Sequence, residues 1–408
     1  MKILSINKYH YIKGGADSVF FNTTTLLKLY GNEVAEFCIQ HPNNIPSKYE
    51  KYFVYAPEIR NLGILGKIKN LPRFFINKNA VKQLERLVID FNPDIAHIHN
   101  IFNGISLAIL PLLRKHQIPT VITMHDTRFI CPSSMFNLRG GLCKTCLKRG
   151  GLNCGIYKCY QNNIINSWMC TFEMIHKEYL CNYDKYIDKY IFVSKRHREL
   201  HKQRHSYFMQ KGCVIYNFSL NLKDIVPNHN KGNYLFYYGR LTEEKGIRTL
   251  VEAMQQMPKQ KLKVAGKGPL LEELTAIAPK NIEFLGFCTG EHLINQISNA
   301  SFIIVPSECE ENNPLTIIEA YSYGKPVIGS KIGGIPEIIN EHTGFLFEPS
   351  DIDSLRSTIQ KASALSTESY KEMSTNAREF ANLHFDPEIH YKQLMYIYQQ
   401  AIRKHENS

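Results

Sequence analysis

The sequence predicts an α/β protein built from two doubly wound halves. Three observations carry that expectation. Short apolar runs alternate with helical stretches through the first half, the same alternation restarts after residue 233, and a polar stretch at 217–233, carrying Pro227 and Gly232, separates the two series. At 408 residues the chain is long for one core and natural for two domains of ordinary size.

In the first series, residues 2–6 (KILSI) read as a buried strand, Gly14-Gly15 as a turn and 17–30 as a helix. Segments 33–39, 95–99, 120–123 and 190–193 read as further strands with helices between. The second series has strands at 234–238, 262–265, 282–285, 302–305 and 326–328. These divisions set the expected organisation: an N-terminal Rossmann-like domain at 1–216, a second at 217–386, and a final helix at 387–408. That helix carries Leu394, Ile397, Tyr398 and Ile402 at helical spacing.

Hydrophobic content of 44% and charged content of 21% fit a soluble globular enzyme, not a disordered chain. No apolar run approaches the ~20 residues that span a bilayer. The opening MKILSIN enters a strand without a signal peptide's apolar core, so a cytoplasmic location is expected. A formal charge of +12 calls for an acidic partner. No nucleic-acid motif is found and the basic residues are scattered, so nucleic acid is not expected. Basic and apolar residues mix most densely at 60–86, where Lys67, Lys69, Arg73, Lys78 and Lys82 stand beside Leu65, Ile68, Leu71 and Phe74. That segment reads either as an amphipathic surface resting on the inner face of a membrane or as a solvated helix with its apolar side in the core.

The most informative stretch is 306–337, PSECEENNPLTIIEAYSYGKPVIGSKIGGIPE. Glu311 and Glu319 stand eight apart around a helix start at Pro314-Leu315-Thr316. Carboxylates flanking a helix N-terminus with free amides suit a sugar hydroxyl on one side and a phosphate on the other. Gly333-Gly334 implies a close backbone approach. The second strong element is Tyr237-Tyr238-Gly239-Arg240, followed by Lys245. A strand ending in Gly-Arg sets a guanidinium at the sheet's C-terminal edge, where α/β folds bind ligands. With Lys245 it forms a cationic pair suited to a diphosphate.

These motifs closely resemble the donor-sugar site of retaining glycosyltransferases of family 4, which use a nucleotide sugar on a GT-B fold, two Rossmann-like domains facing across a cleft. The resemblance covers nearly the whole chain and is most specific at 237–337. It implies that Arg240 and Lys245 stabilise the donor's diphosphate, that Glu319 holds ribose hydroxyls, and that Glu311 lies beside the donor sugar. Ala265-Gly266-Lys267-Gly268-Pro269 resembles the family's turn beneath the nucleotide. After the first glutamate the family has Gly-Phe-Gly, whereas this chain has Asn312-Asn313-Pro314, so side-chain amides of Asn312 and Asn313 are expected to replace backbone contacts to the sugar. Pro314 lacks an N–H, a small loss at a helix start.

In the first domain, Gly14-Gly15-Ala16-Asp17 fits a loop whose amides approach the diphosphate from the opposite side, or an ordinary strand-to-helix turn. His125-Asp126 follows a strand, and the family places its active-site histidine in this pair. His99-Asn100 ends another strand and is expected to line the acceptor side. Ser194 matches a cleft position or caps the following helix. The resemblance also implies that the last helix crosses back onto the first domain. No nucleophile is expected. Front-face substitution, in which the leaving diphosphate assists deprotonation of the acceptor, needs positioning and charge stabilisation instead. Asp351-Ile352-Asp353 reads as a helix cap, so no catalytic metal is expected.

Eleven cysteines are many for a cytosolic enzyme, and Cys131, Cys143, Cys146, Cys154 and Cys159 cluster within 131–160. Close pairs separated by Arg139-Gly140-Gly141 and Arg149-Gly150-Gly151 read either as a structural zinc knuckle or as free thiols filling a loop. The segment has few large apolar residues, which favours an ordering agent other than burial. Similar insertions after the His-Asp pair occur in a branch of the family, and because the insertion leaves from the cleft a role in acceptor recognition is expected.

The leading expectation is a retaining hexosyltransferase acting from a UDP- or GDP-sugar onto a glycan or polyprenyl-lipid-linked acceptor of a bacterial surface polysaccharide. An epimerase or hydrolase on the same scaffold would also use Arg240 and Lys245, but the glutamate pattern favours transfer. A catalytically silent binding partner would not need Arg240, Lys245, Glu319 and His125 together.

Overall fold

Runs rich in Ile, Val, Phe and Tyr form two parallel sheets of six strands each in the computed structural model, which describes residues 1–56, 62–134, 136–138, 141–160 and 162–406. Arg60 and the turn expected at Arg139-Gly140 lie outside the described residues. The first half supplies β1 (Lys2–Ile6), β2 (Glu33–Phe37), β3 (Ile95–Ile98) and β4 (Thr120–Met124). A small hairpin, β5 (Asn137–Leu138) and β6 (Gly141–Leu142), precedes β7 (Lys189–Phe192) and β8 (Gly212–Val214). The sheet order is β2-β1-β3-β4-β7-β8, with Ile3 opposite Ile95 and Ile98 opposite Ile122.

The second half supplies β9 (Leu235–Tyr238), β10 (Leu262–Ala265), β11 (Ile282–Gly286), β12 (Phe302–Val305), β13 (Val327–Ser330) and β14 (Gly344–Phe347). Their order is β11-β10-β9-β12-β13-β14. Helices cover both faces of each sheet, which is why β3, β4, β12 and β13 are buried at every position. In each sheet the order reverses beside the first strand, β1 or β9. Crevices outside the C-terminal ends of strands open at such points. The expected strands are therefore present, and among the described residues the sequence pattern omitted the outer strands β8 and β14 and the small hairpin β5-β6.

The helix Pro387–Glu406 lies on the first sheet although it follows the second. Leu394, Tyr398 and Ala401 are buried in one cluster with Ile3, Leu27, Ile95 and Val121. The Tyr398 hydroxyl lies 2.6 Å from His97 Nδ1 beneath that sheet.

The cysteine-bearing segment corrects one expectation. Phe136, Leu147, Cys131, Cys146 and Cys154 are buried, and Cys131, Phe136 and Leu147 belong to the core of the first half, so burial against that core orders the segment. It continues through the helices Thr145–Arg149, Leu152–Ile156 and Ile164–Ile175 into a π turn, His176–Leu180. Below it the buried Lys177 ammonium donates to the carbonyls of Phe129 (2.6 Å) and Arg128 (3.3 Å). Burial pushes that amine down to about 8. All eleven cysteines are free thiols. Burial and the neighbouring Cys131, Cys159 and Cys143 push the Cys146 thiol up to about 12. Among the described residues no three His, Cys, Asp or Glu side chains are grouped to hold a metal ion.

Candidate active site

The strand ends of the two sheets face each other across a cleft of about 670 Å³, lined by residues 13–17, Asn100 and 125–127 from one side. Residues 237–240, Lys245 and 309–316 line the other. The chain leaving β1 forms a glycine loop that begins the helix Gly15–Leu29. Asp17 shapes it: one carboxylate oxygen accepts from the amides of Lys13 (3.2 Å) and Gly14 (3.1 Å), the other from Asn7 Nδ2 (2.9 Å). Burial raises the Asp17 carboxyl, opposed by these hydrogen bonds. Opposite stands the helix Leu315–Ser322, capped by Pro314. A Cβ built on Gly15 would lie 3.9 Å from Leu315 Cδ1. Two helix N-termini, each with amides lacking intrahelical partners, thus converge on one space, and Leu315 and Thr316 supply the second set. A diphosphate fits such a place.

Lys245 sits in a short turn, Glu243–Lys245, before the helix Ile247–Gln255, and its ammonium pairs with Glu311. Burial opposes the charge on Lys245, but Glu311 and Cys309 outweigh it, so the amine is held above its usual value. Burial likewise opposes the Glu311 carboxylate. Lys245 and the Ser307 hydroxyl, 2.9 Å away, outweigh it and lower the carboxyl. Both partners are charged at neutral pH. Arg240 stands at the rim, 65% exposed, with Glu244 at 3.5 Å. Its guanidinium is free to turn towards an anion in the cleft.

Two backbone contacts hold these groups in place. A Cβ on Gly266 would fall 1.8 Å from the carbonyl oxygen of Gly239, so only glycine lets β9 and β10 end side by side beneath Arg240. A Cβ on Gly333 would meet the Glu311 carbonyl at 2.1 Å, and the Gly334 amide donates to that carbonyl at 2.6 Å. The expected glycine pair is therefore the buttress of the Glu311 loop.

The two asparagines expected at the sugar are partly engaged within the protein. Asn312 Nδ2 donates to the His125 carbonyl across the cleft at 2.6 Å. Asn313 is buried, its Oδ1 accepting from the Asn217 amide at 2.8 Å. Asn312 thereby joins the halves of the molecule, whereas Asn313 bonds within the second half; both line the cleft, and Asn313 Nδ2 is buried without a hydrogen-bond partner. Glu319 accepts from the hydroxyl of the cleft-lining Tyr238 at 2.9 Å. Burial raises the Glu319 carboxyl.

His125 lines the cleft, and His99 lies behind it with Nδ1 3.0 Å from His125 Nε2. Burial depresses both imidazoles, His125 to about 4, so both are neutral at pH 7. His99 Nε2 is buried without a hydrogen-bond partner. An orphan lone pair costs less than an orphan N–H, so we assign the His99 proton to Nδ1, donating to His125 Nε2. His125 then carries its own proton on Nδ1, a neutral donor for a ligand oxygen. Asp126 faces the same cleft, with Oδ1 accepting from the Arg128 amide at 2.8 Å.

Ser194 caps the helix Lys195–Lys202 and accepts from the His197 amide at 3.1 Å. Glu337 of the second half reaches the same helix start, accepting from the Lys195 amide (2.8 Å) and the Tyr216 hydroxyl (3.2 Å). Lys144 of the cysteine-bearing segment and Arg196 each lie 3.4 Å from Glu310, beside Glu311. The sequence reading missed Tyr238 as a support, Ser307, Glu310 and Glu337. Only Tyr238, directly before Gly239-Arg240, carried a local signal.

Two facing sheets, with a cation–carboxylate pair between two helix N-termini in the cleft, define a GT-B scaffold. Residues 13–218 match the family described as Glycosyltransferase Family 4, and residues 220–380 match Glycosyl transferases group 1. The chain belongs to glycosyltransferase family 4. A Klebsiella pneumoniae relative, described as an uncharacterized 42.6 kDa protein in cps region, is 26% identical over 68% of this chain and 69% of its own. Among solved structures, the sucrose-phosphate synthase of Thermosynechococcus elongatus superposes with a TM-score of 0.71 at 20% identity, over 99% of both chains. Anabaena Alr3699/HepE, in complex with UDP-glucose, gives 0.62 at 17% identity over 100% of both. At these identities the structures establish the fold alone.

Proposed function

We propose that the protein is a retaining hexosyltransferase. It takes the sugar of a UDP- or GDP-sugar and passes it to a glycan or lipid-linked acceptor in bacterial surface polysaccharide synthesis. The observation that carries this reading is the charged Lys245–Glu311 pair set between the N-termini of Gly15–Leu29 and Leu315–Ser322. The UDP-glucose bound by the Anabaena neighbour supports the donor class, and the Klebsiella relative in a cps region supports the pathway class.

In this mechanism the two sets of helix amides, Lys245 and Arg240 hold the diphosphate. As the sugar C1–O bond breaks, its electron pair passes to the diphosphate, and these charges stabilise it. The acceptor oxygen forms the new C1–O bond on the same face, and its proton passes to the departing diphosphate oxygen. Glu311 orients the donor sugar, His125 donates from Nδ1 to a sugar oxygen, and Glu319 meets the ribose when Tyr238 yields it. No covalent intermediate is required.

The test is a panel of UDP- and GDP-sugars screened for protection against thermal unfolding, followed by acceptor trials with the protecting donor. One nucleotide class should protect, and transfer should retain the anomeric configuration. Failure of every nucleotide sugar to protect, or inversion at C1, rejects the proposal.

A further inference from the structure

We propose that the outer face built by the helices Ile64–Phe75, Leu152–Ile156 and Ile164–Ile175 docks on an anionic bilayer surface. The proposal rests on the lipid-linked acceptor reading only for its purpose, and its evidence is separate. Two contacts join the first helix to the third, Lys67 Nζ donating to Asn166 Oδ1 at 2.8 Å and Phe74 sharing a buried cluster with Met169, and the Phe75 ring lies 5.5 Å from His176 at the start of the π turn. Their other sides carry large apolar side chains in water. Leu65 is 84% exposed and Ile156 61%, with Leu71, Ile76, Ile165 and Phe172 exposed beside them. The π turn that ends the third helix adds Tyr179 and Leu180, the latter 73% exposed. Single exposed apolar residues need no explanation, but a contiguous group marks an interaction surface.

The charge around this group decides the partner. Residues 62–82 contain no Asp or Glu, and Lys69, Arg73, Lys78 and Lys82 are exposed there. Lys148 and Lys158 are exposed on the adjoining segment. The acids of 144–180 are Glu173 and Glu178, which are committed to Arg128 and Arg204. Among the described residues the face is thus apolar with a cationic border and no uncommitted carboxylate. A second copy would bring the same positive border against this one, and like charges would oppose that pairing. A bilayer with anionic headgroups complements both features, the apolar side chains entering the headgroup boundary and the lysines meeting phosphates. The same segment reaches the cleft rim through Lys144, so docking here would bring the cleft close to lipid-borne acceptors.

The experiment is co-sedimentation of the full chain with phosphatidylcholine vesicles, with and without roughly a third phosphatidylglycerol. Wild type should bind the anionic vesicles at least about tenfold better, and salt should weaken that binding. Ile156→Asp/Phe172→Asp should lose binding at any salt, and Lys69→Glu/Arg73→Glu should lose the preference for anionic lipid. All four sites are exposed, so both variants should keep the wild-type Tm and nucleotide-sugar protection. Equal binding to both vesicle types, or binding untouched by both variants, overturns the proposal. So does a vesicle-free dimer that Ile156→Asp/Phe172→Asp returns to monomer, which would assign the face to a second copy. Vesicle binding is read without any transfer assay, so its failure and the failure of the transferase reading are distinct results.

Discussion

Lys245 and Glu311 neutralise each other in a partly buried place, so a substitution at either has two effects. Lys245→Ala removes a preorganised charge at the leaving group and should lower kcat/KM by about 10² or more. It also leaves a buried carboxylate unpaired, which should cost up to about 3 kcal/mol of stability. Lys245→Ala/Glu311→Ala should regain most of the lost Tm without regaining transfer, a split that melting curves and kinetics can read together. His125 makes a different prediction. Its imidazole is depressed to about 4, so it does not change charge near the usual histidine value of ~6.5. A kcat/KM profile should cross that region without a histidine step. A step removed by His125→Gln would show that the imidazole is charged in the working enzyme.

Among the elements, the end of β9 against β10 tolerates no side chain. Gly266→Ala would press a Cβ onto the Gly239 carbonyl and should cost about 2–3 kcal/mol while displacing Arg240. Calorimetry should show a lower Tm together with weaker nucleotide binding. In the cysteine-bearing segment, Cys154 donates to Cys159 and lowers its thiol, while Cys154 itself is raised. Chelator-treated protein should therefore alkylate first at Cys159, which peptide mapping can follow. Structural zinc at these thiols is a proposal: about one zinc per chain in protein purified without chelator would uphold it, and would require the side chains to draw together. Metal-free protein with a protease-resistant segment would reject it. Buried strands such as Phe302–Val305 were legible because cover on both faces demands an unbroken apolar run. The edge strands Gly212–Val214 and Gly344–Phe347 open with glycine and are only partly buried, so they carry no such run. Cations and carboxylates of the cleft were legible from motif. The bond from Asn312 to the His125 carbonyl joins residues 187 apart, and that from Glu337 to the Arg196 amide joins residues 141 apart. No local pattern encodes such pairings.

Over the whole molecule, His97, His99, His197 and His201 are buried and His125 and His390 half-buried, and desolvation depresses all six. Their folded values lie below the unfolded value of ~6.5, so below that pH the unfolded chain binds more protons. Stability should fall as pH drops through ~6.5, by about 1.4 kcal/mol per pH unit for each imidazole. The loss should continue towards about 4 for His125 and His390 and about 3 for His97 and His197. Several such groups together rival a total stability of about 5–15 kcal/mol. Tm measured from about pH 7 down to pH 5 should decline steeply, and a flat series would contradict the neutral buried state.

The helix that closes the first sheet also sets an order of events during synthesis. Ile3, Leu27, Ile95 and Val121 leave the ribosome long before Leu394, Tyr398 and Ala401, which cover them. Through most of translation the nascent first half must carry an uncovered apolar sheet face, a surface open to aggregation and to chaperone capture. Its last contacts span nearly the whole chain, so their loop-closure entropy falls late and slows the final step. Maturation of the first half thus waits on the helix Pro387–Glu406.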